Sequence, residues 1–221
     1  GRVLTLMTAN LLAGSAATDG IERIVAENEV DVLAMQEVDP EAFAILEQRG
    51  LSKLLPHVVD ELRPEVAGSV LMSRWPLRKQ GVERDSQLFP WPAAVVPRVG
   101  IVVQSVHPFP PTRPKKTQLW QRDLASMPAA RPAPGNNLRV LLGDFNATLD
   151  HRLLRQLVAR DYVDAARVTG NGLKPTWSAN RLMKLTIDHV LVDSRIRVES
   201  YKTFDLPRSD HDAVVVRVRL P

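Results

Sequence analysis

The chain contains no cysteine, and this absence removes several kinds of chemistry from consideration. Disulfide bonds, zinc–thiolate sites and a cysteine nucleophile are excluded in these 221 residues. Aromatic side chains are scarce, at 5% of the sequence. No apolar run approaches the length that spans a bilayer, and the start has no signal-peptide pattern. The first residues are Gly1-Arg2-Val3, so we expect a processed or trimmed N-terminus, and the compartment stays open.

What the chain does contain is typical of a globular protein. Hydrophobic residues make up 44% and charged residues 24%, which predicts a single domain over residues 1–221 with a large core. The formal net charge of +4 favours anionic partners such as nucleic acid or lipid headgroups. A solvated basic surface explains that charge equally well. We expect a monomer.

Apolar strand patterns alternate with helical patterns, without an obvious linker. The patterns predict strands over Val3–Leu12, Asp31–Val38, Gly68–Arg74, Val99–Val106, Leu138–Leu142, Thr186–Val192 and Ala213–Leu220. They predict helices over Gly20–Asn28, Pro40–Gln48, Thr117–Met127 and His151–Arg160. An α/β architecture in which helices cover a sandwich of two sheets would bury all of these strands.

A carboxylate and a carboxamide follow the apolar strand Leu138–Leu142. Asp144 and Asn146 alternate onto one face there, as an acceptor and donor pair two residues apart. Such a pair suits a hydrated cation or a phosphate oxygen. The sequence Gly-Asp-Phe-Asn is also compatible with an ordinary turn.

Other polar groups interrupt or end apolar strands in the same way. They are Asn10, Glu37, His107, Asp188 and the segment Arg208–Asp212. A lone glutamate at a strand end is usually only solvated. An acid inside an apolar strand, as at Asp188, is costly unless it is paired, and Asp188 could raise the basicity of His211.

Six of these motifs occur in an order typical of one superfamily. They are Asn10, Gln36-Glu37, His107, Gly143-Asp144-Phe145-Asn146, Ile187-Asp188-His189 and Ser209-Asp210-His211. From the first strand to the last, the chain resembles the endonuclease/exonuclease/phosphatase superfamily, which includes DNase I-like nucleases, neutral sphingomyelinases and inositol polyphosphate 5-phosphatases. It looks most like the compact bacterial members, which are often exported or membrane-attached.

The resemblance implies a fold and a reaction. The expected fold is a four-layer α/β sandwich of two packed mixed β-sheets flanked by helices, with the active site at one edge of the paired sheets. The expected reaction is Mg²⁺-dependent cleavage of a phosphate ester, with Mn²⁺ as a possible substitute. By resemblance, Glu37 would be the principal metal ligand, with Asn10 beside it and Asp210 close by.

The resemblance also implies catalytic roles. His211 would take a proton from the attacking water and would be oriented by Asp188, while His107 and Asn146 would hold the phosphoryl oxygens. Asp144 would either position the nucleophile or protonate the leaving group. The sequence leaves that choice open, as it does the choice between one and two metal ions.

Several other residues have alternative interpretations. His57 and His151 are expected at the surface without polar companions, and strand alternation directs His189 away from the site. Trp177 either faces substrate or packs in a loop. The segment Leu88–Pro92 is either a buried loop anchor or a membrane-touching loop. For the basic cluster formed by Arg113, Lys115, Lys116 and Arg122, a solvated helix start is favoured over a nucleic-acid contact.

Two classes of function remain open. The favoured one is a Mg²⁺-dependent phosphodiesterase acting on nucleic acid, slightly ahead of phospholipid or an inositol phosphate. The other is a catalytically silent relative that binds a phosphorylated ligand or a protein. A serine-hydrolase triad is excluded, because the adjacent residues Ser209, Asp210 and His211 cannot form its geometry.

Overall fold

The structure, a computed structural model, describes residues 1–13, 18–81, 89, 91–180 and 182–221. Within these residues the strands are β1 (Val3–Asn10), β2 (Val32–Gln36), β3 (His57–Glu61), β4 (Ser69–Ser73), β5 (Arg78–Gln80), β6 (Ala93–Val96), β7 (Ile101–Val106), β8 (Leu138–Asp144), β9 (Tyr162–Asp164), β10 (Trp177–Ser178), β11 (Lys184–Leu185), β12 (Asp188–Asp193), β13 (Arg197–Asp205) and β14 (Asp212–Arg219). The helices are α1 (Ile21–Glu27), α2 (Pro40–Gln48), α3 (Leu51–Leu54), α4 (Pro114–Ser126), α5 (Arg152–Val158) and α6 (Ala165–Val168).

Most of these strands belong to two mixed sheets. The first has the order β13-β14-β1-β2-β4-β3, in which β1 and β2 are parallel. The second has the order β5-β6-β7-β8-β12-β9, in which β7 and β8 are parallel. The short strands β10 and β11 form a separate hairpin.

The two sheets pack face to face, and helices cover their outer faces. Side chains along β1 alternate between the two faces of the sheet. Leu4 and Leu6 therefore enter the core between the sheets, while Met7 contacts the helical layer on the outer face. Helices α1, α2 and α3 cover the first sheet, and α4 and α5 cover the second. The four-layer sandwich predicted from the sequence is therefore confirmed.

Helix α2 begins where the sequence predicts, whereas α4 begins three residues earlier than predicted. The Asp39 side chain accepts a hydrogen bond from the Ala42 amide, and Pro40 occupies the first turn, so α2 has its predicted bounds. Helix α4 begins at Pro114 and not at Thr117, again with proline in the first turn. No helix in the described part of the chain is long and apolar enough to cross a membrane.

A glycine allows β8 to approach β7 very closely. Gly143 has φ of 151°, and a Cβ atom there would lie 2.0 Å from the Val106 carbonyl oxygen. Only glycine fits this close approach of two backbones. Strand β8 thereby continues beyond its predicted end at Leu142 and carries Asp144 to the edge of the sheet.

Candidate active site

The polar strand ends meet at one edge of the sandwich, in a cleft of about 540 Å³. Asn10 ends β1, Asp144 ends β8 and Asp188 begins β12. The cleft is lined by Leu12, Glu37, Val66, Phe89, His107, Pro110, Pro111, Thr112, Lys116, Asp144, Asn146, Thr148, His151, Trp177, Leu185, Ile187, Asp210 and His211. The residues predicted from separate parts of the sequence are therefore assembled in one place.

His211 and Asp188 are in direct contact. The His211 Nδ1 atom lies 2.9 Å from Asp188 Oδ2 and 3.1 Å from Oδ1. Because a carboxylate only accepts, Nδ1 carries the hydrogen and donates it, which fixes the ring orientation. The Thr176 hydroxyl accepts from the Ile187 and Asp188 amides at 3.1 and 3.0 Å and holds the start of β12. The contact expected between Asp188 and His211 is present.

Asp144 and Glu37 share one amide donor. The Asn10 Nδ2 atom lies 3.1 Å from Glu37 Oε1 and 3.1 Å from Asp144 Oδ2. The Asn10 Oδ1 atom accepts from the Leu12 amide at 3.0 Å. Asn10 therefore presents its nitrogen to the carboxylates, whereas its predicted role as a metal ligand needs the oxygen. Asp144 Oδ2 also lies 3.7 Å from His211 Nε2.

Three residues that line the cleft have left-handed backbone conformations, and the first of them is Leu12, with φ of 46°. Glu37 has φ of 57° and Asn146 has φ of 48°. The Ala13 backbone amide donates to Glu37 Oε2 at 2.8 Å, and the Asn146 backbone amide donates to Asp144 Oδ1 at 2.7 Å. Such conformations are uncommon outside glycine and often occur at functional sites.

His107 lies in the wall of the cleft and is nearly fully buried. Its Nε2 atom is 3.5 Å from Glu37 Oε1 and 3.8 Å from Asp144 Oδ2. The ring stacks on Phe89 with a centroid separation of 5.1 Å, and the Trp91 indole donates to the His107 carbonyl at 2.8 Å. Trp91 is buried, whereas Leu88 and Pro90 of the segment Leu88–Pro92 lie outside the described residues.

Asp210 is held by a tryptophan on the hairpin. The Trp177 Nε1 atom donates to Asp210 Oδ2 at 2.7 Å. The other oxygen, Oδ1, is buried and has no hydrogen-bond partner among the described residues. The Ser209 hydroxyl donates to the Asn10 carbonyl and accepts from the His211 amide, both at 3.0 Å, which ties this loop to β1.

The electrostatics of the cleft are dominated by crowded carboxylates. Burial raises the pKa values of Glu37 and Asp144. Burial lowers the pKa of His211, but the charges of Asp188 and Asp144 outweigh it and raise that pKa overall. Burial and the neighbouring His211 lower the pKa of His107 to about 3, so this ring is neutral.

This surplus of negative charge fits a cation. Asp144, Asp188 and His211 present ligand atoms within 4.8 Å of one another, and they form a possible metal site. Glu37 and Asp210 line the same cleft, and the buried Asp210 Oδ1 is a free acceptor among the described residues. Oxygen donors of this type suit a hard divalent cation.

His189 and His151 lie outside the His211–Asp188 pair, and the structure confirms the prediction for His189 but not the whole prediction for His151. His189 points away from the cleft, as alternation predicts, and its two ring nitrogens lie 2.8 Å from Asp164 Oδ2 and from the Ala147 carbonyl. His151 is exposed, but the prediction that it has no polar companion is wrong, because the Thr148 amide donates to its Nδ1 at 3.0 Å.

Thr176 and Ser209 support the site through contacts that the sequence alone does not indicate. The motif Pro175-Thr176-Trp177 carries a signal only for its tryptophan, and Ser209 is singled out only as part of the motif Ser209-Asp210-His211 and as an excluded nucleophile. Both hydroxyls bond to backbone groups of distant strands. Only the folded chain reveals such contacts.

Comparison with known proteins settles the family. A sequence profile described as the endonuclease/exonuclease/phosphatase family matches residues 7–211. The chain belongs to this family. Its members are phosphoric ester hydrolases that depend on a divalent metal ion, so the resemblance and the enzyme class predicted from the sequence are confirmed at that level. No curated protein sequence matches the chain.

Solved structures of other family members share the fold. The 3′-5′ exonuclease NExo from Neisseria meningitidis is 21% identical with a TM-score of 0.78, over 96% of this chain and 98% of that chain. An endonuclease/exonuclease/phosphatase from Beutenbergia cavernae is 22% identical with a TM-score of 0.74, over 100% of this chain and 72% of that one. TDP2 from D. rerio, complexed with a single-strand DNA product, is 13% identical with a TM-score of 0.76, over 99% of this chain and 100% of that chain.

Proposed function

We propose that this family member is a Mg²⁺-dependent phosphodiesterase that hydrolyses nucleic acid, with Mn²⁺ as a possible substitute. The observation that carries the proposal is the His211–Asp188 pair, whose imidazole opens into the same cleft as Glu37, Asp144 and Asp210. A base, an orienting carboxylate and oxygen ligands in one cleft are the components of metal-assisted phosphodiester hydrolysis.

The proposed reaction begins at His211. A cation held by the neighbouring carboxylates would offset the charges that raise the pKa of His211, so that the ring is neutral before the reaction. Its Nε2 atom would then take a proton from the attacking water, while Asp188 holds the Nδ1 hydrogen and stabilises the imidazolium that forms. His107, which is neutral, and Asn146 face the phosphoryl oxygens and donate to them as charge develops. Asp144 lies beside His211 and either positions the water or protonates the leaving oxygen.

Glu37 and Asp210 would hold the divalent cation, with Asp144 next to them. A cation bound there would neutralise charge on the phosphate. Asn10, which donates to both Glu37 and Asp144, would keep the two carboxylates in place and would become an oxygen ligand only if its amide turned over. Both one-ion and two-ion occupancy are compatible with this arrangement of carboxylates.

Two structural relatives support nucleic acid as the substrate. NExo is described as bound to a product DNA hairpin, and TDP2 as complexed with a single-strand DNA product. The positive net charge of the chain agrees with a polyanionic substrate. We infer that a nucleic-acid strand enters the cleft with its scissile phosphate close to His211.

A substrate panel tests the proposal. Single-stranded DNA, supercoiled plasmid, sphingomyelin micelles and an inositol polyphosphate would each be incubated with Mg²⁺ or with EDTA. We expect metal-dependent cleavage of nucleic acid above the other substrates. If only sphingomyelin or only the inositol phosphate were cleaved, that compound would identify the substrate class in place of nucleic acid. If no substrate were cleaved, a catalytically silent protein that binds a phosphorylated ligand would be favoured.

A further inference from the structure

A second concave surface adjoins the cleft, between helices α4 and α5. This α4–α5 groove has a volume of about 510 Å³, and its lining includes Trp120, Arg122, His151 and Arg152. His151 lines both the groove and the catalytic cleft. Its ring packs edge-on against Trp120, with ring centroids 5.2 Å apart. The two concavities therefore meet at His151.

The lining of the groove is cationic. Arg122 and Arg152 are exposed, and neither side chain forms a hydrogen bond or an ion pair with any described residue. Arg155, one turn further along α5, is instead engaged with the Leu149 carbonyl at 2.9 Å. No acidic residue lines the groove among the described residues. Guanidinium groups in a groove that no carboxylate lines create a positive surface suited to phosphates.

The positive surface continues toward the site of reaction. Lys116 lies one turn before Trp120 on α4 and lines the catalytic cleft. The His151 Nδ1 atom accepts from the Thr148 amide, so a neutral His151 carries its ring hydrogen on Nε2. That hydrogen is available to donate where the groove and the cleft meet. Polar donors thus extend from the cleft along both helices.

We propose that the α4–α5 groove binds the nucleic-acid strand beyond the scissile phosphate, with Arg122 and Arg152 contacting successive backbone phosphates. The charge of the groove fits a polyanion, its continuity with the cleft fits a connected strand, and the aromatic ring of His151 offers a surface on which a base can stack. The inference rests on the proposed nuclease function and names the surface that would hold its substrate.

Binding without turnover tests the groove separately from catalysis. The probe is a fluorescein-labelled single-stranded DNA of about twelve nucleotides, measured by fluorescence anisotropy in EDTA over a range of salt concentrations. We expect the double variant Arg122→Gln/Arg152→Gln to bind about tenfold more weakly. Its plot of log affinity against log salt should be shallower by about 1.4, since each neutralised phosphate of a single strand contributes about 0.7.

The matched control removes the same charge from the opposite helical layer. Arg23 on α1 and Lys53 on α3 are exposed and have no ion-pair partner among the described residues. The variant Arg23→Gln/Lys53→Gln should bind the probe as the wild type does. Equal losses in both double variants, or no loss in the groove variant, would overturn the inference. Binding to phosphatidylglycerol vesicles would be measured in the same way. If the groove variant lost binding to these vesicles but kept its affinity for the oligonucleotide, the inference would be overturned as well.

A comparison of two substrates separates this inference from the proposed function. The groove variant should lower kcat/KM for the oligonucleotide about tenfold relative to kcat/KM for bis(p-nitrophenyl) phosphate, which is too small to occupy the groove. If the wild type hydrolyses neither substrate, and the groove variant binds the oligonucleotide more weakly than the wild type does, the proposed function is contradicted and the groove is supported. If the wild type hydrolyses both substrates, and the groove variant has the same ratio of the two kcat/KM values as the wild type, only the groove is contradicted.

Discussion

Both carboxylate oxygens of Asp188 lie within 3.1 Å of the His211 Nδ1 atom. The two residues are 23 positions apart in sequence, and β12 and the start of β14 bring them together. This contact leaves His211 Nε2 facing the cleft, where it lies 3.7 Å from Asp144 Oδ2 and 3.8 Å from Asp210 Oδ1. The imidazole is therefore oriented by one carboxylate and surrounded by two more.

Replacing Asp188 with asparagine should impair catalysis without unfolding the protein. An amide can donate to His211 Nδ1 and favour the wrong tautomer, so we expect kcat to fall by about 10²- to 10⁴-fold. Steady-state hydrolysis of a fluorescent oligonucleotide would measure the change. The control is Asp193→Asn at the other end of β12, where the carboxylate pairs with Arg195 outside the cleft. Similar activity losses in the two variants would contradict an orienting role for Asp188.

Replacing Glu37 with glutamine should weaken Mg²⁺ binding. Glutamine keeps the size and one oxygen but removes the charge that a hard cation prefers, so we expect at least about a tenfold loss of affinity. Isothermal titration calorimetry with Mg²⁺ alone measures this directly. Glu61→Gln on β3, where the carboxylate pairs with Lys79, serves as the control. Unchanged affinity in Glu37→Gln, with a loss in Asp188→Asn, would move the metal to the Asp144–Asp188–His211 cluster.

Replacing Trp177 with phenylalanine should reduce activity through Asp210. The substitution keeps an aromatic ring and removes the indole hydrogen that holds Asp210 Oδ2 at 2.7 Å. We expect Mg²⁺ affinity and kcat each to fall about tenfold, as is usual when a group that positions a ligand is lost. The half-buried Trp75 packs against the core between the sheets, so Trp75→Phe is the control. If Trp177→Phe raised only the KM for substrate, Trp177 would contact substrate and would not position Asp210.

Replacing Gly143 with alanine should destabilise the fold next to the site. The new methyl group would meet the Val106 carbonyl oxygen at 2.0 Å, so β7 and β8 would have to separate. We expect the free energy of unfolding to fall by about 2 kcal/mol or more, measured by urea denaturation. At Gly81 a Cβ atom would meet no described residue within 4 Å, so Gly81→Ala should change stability by less than about 0.5 kcal/mol. Equal stabilities of the two variants would contradict the packing described here.

The apolar strands and their polar ends could be predicted because both depend on local sequence. Strand β8 is mostly apolar and ends at Asp144, so the pattern locates both the strand and the site residue. Strand β13 was not predicted, because it lies at the edge of the first sheet and alternates exposed charged residues with partly buried ones. A half-exposed edge strand has no apolar run to reveal it.

Contacts between distant loops could not be predicted in the same way. The hydrogen bond from Trp177 to Asp210 depends on a two-residue strand, β10, and on an isolated bridge between Trp177 and His211. The orientation of the Asn10 amide depends on the Leu12 amide, which turns back toward its oxygen. The sequence shows that these side chains are polar, but the backbone around them decides which atom faces the cleft.

The measurement that tests the account most directly is nicking of supercoiled plasmid by the wild type and by His211→Gln, each with Mg²⁺ and with EDTA. We predict nicking by the wild type only with Mg²⁺, and a rate about 10²- to 10⁴-fold lower for His211→Gln. His57→Gln on β3, at the far edge of the first sheet, should nick as the wild type does. Full Mg²⁺-dependent nicking by a folded His211→Gln variant would contradict the role of His211 as the base.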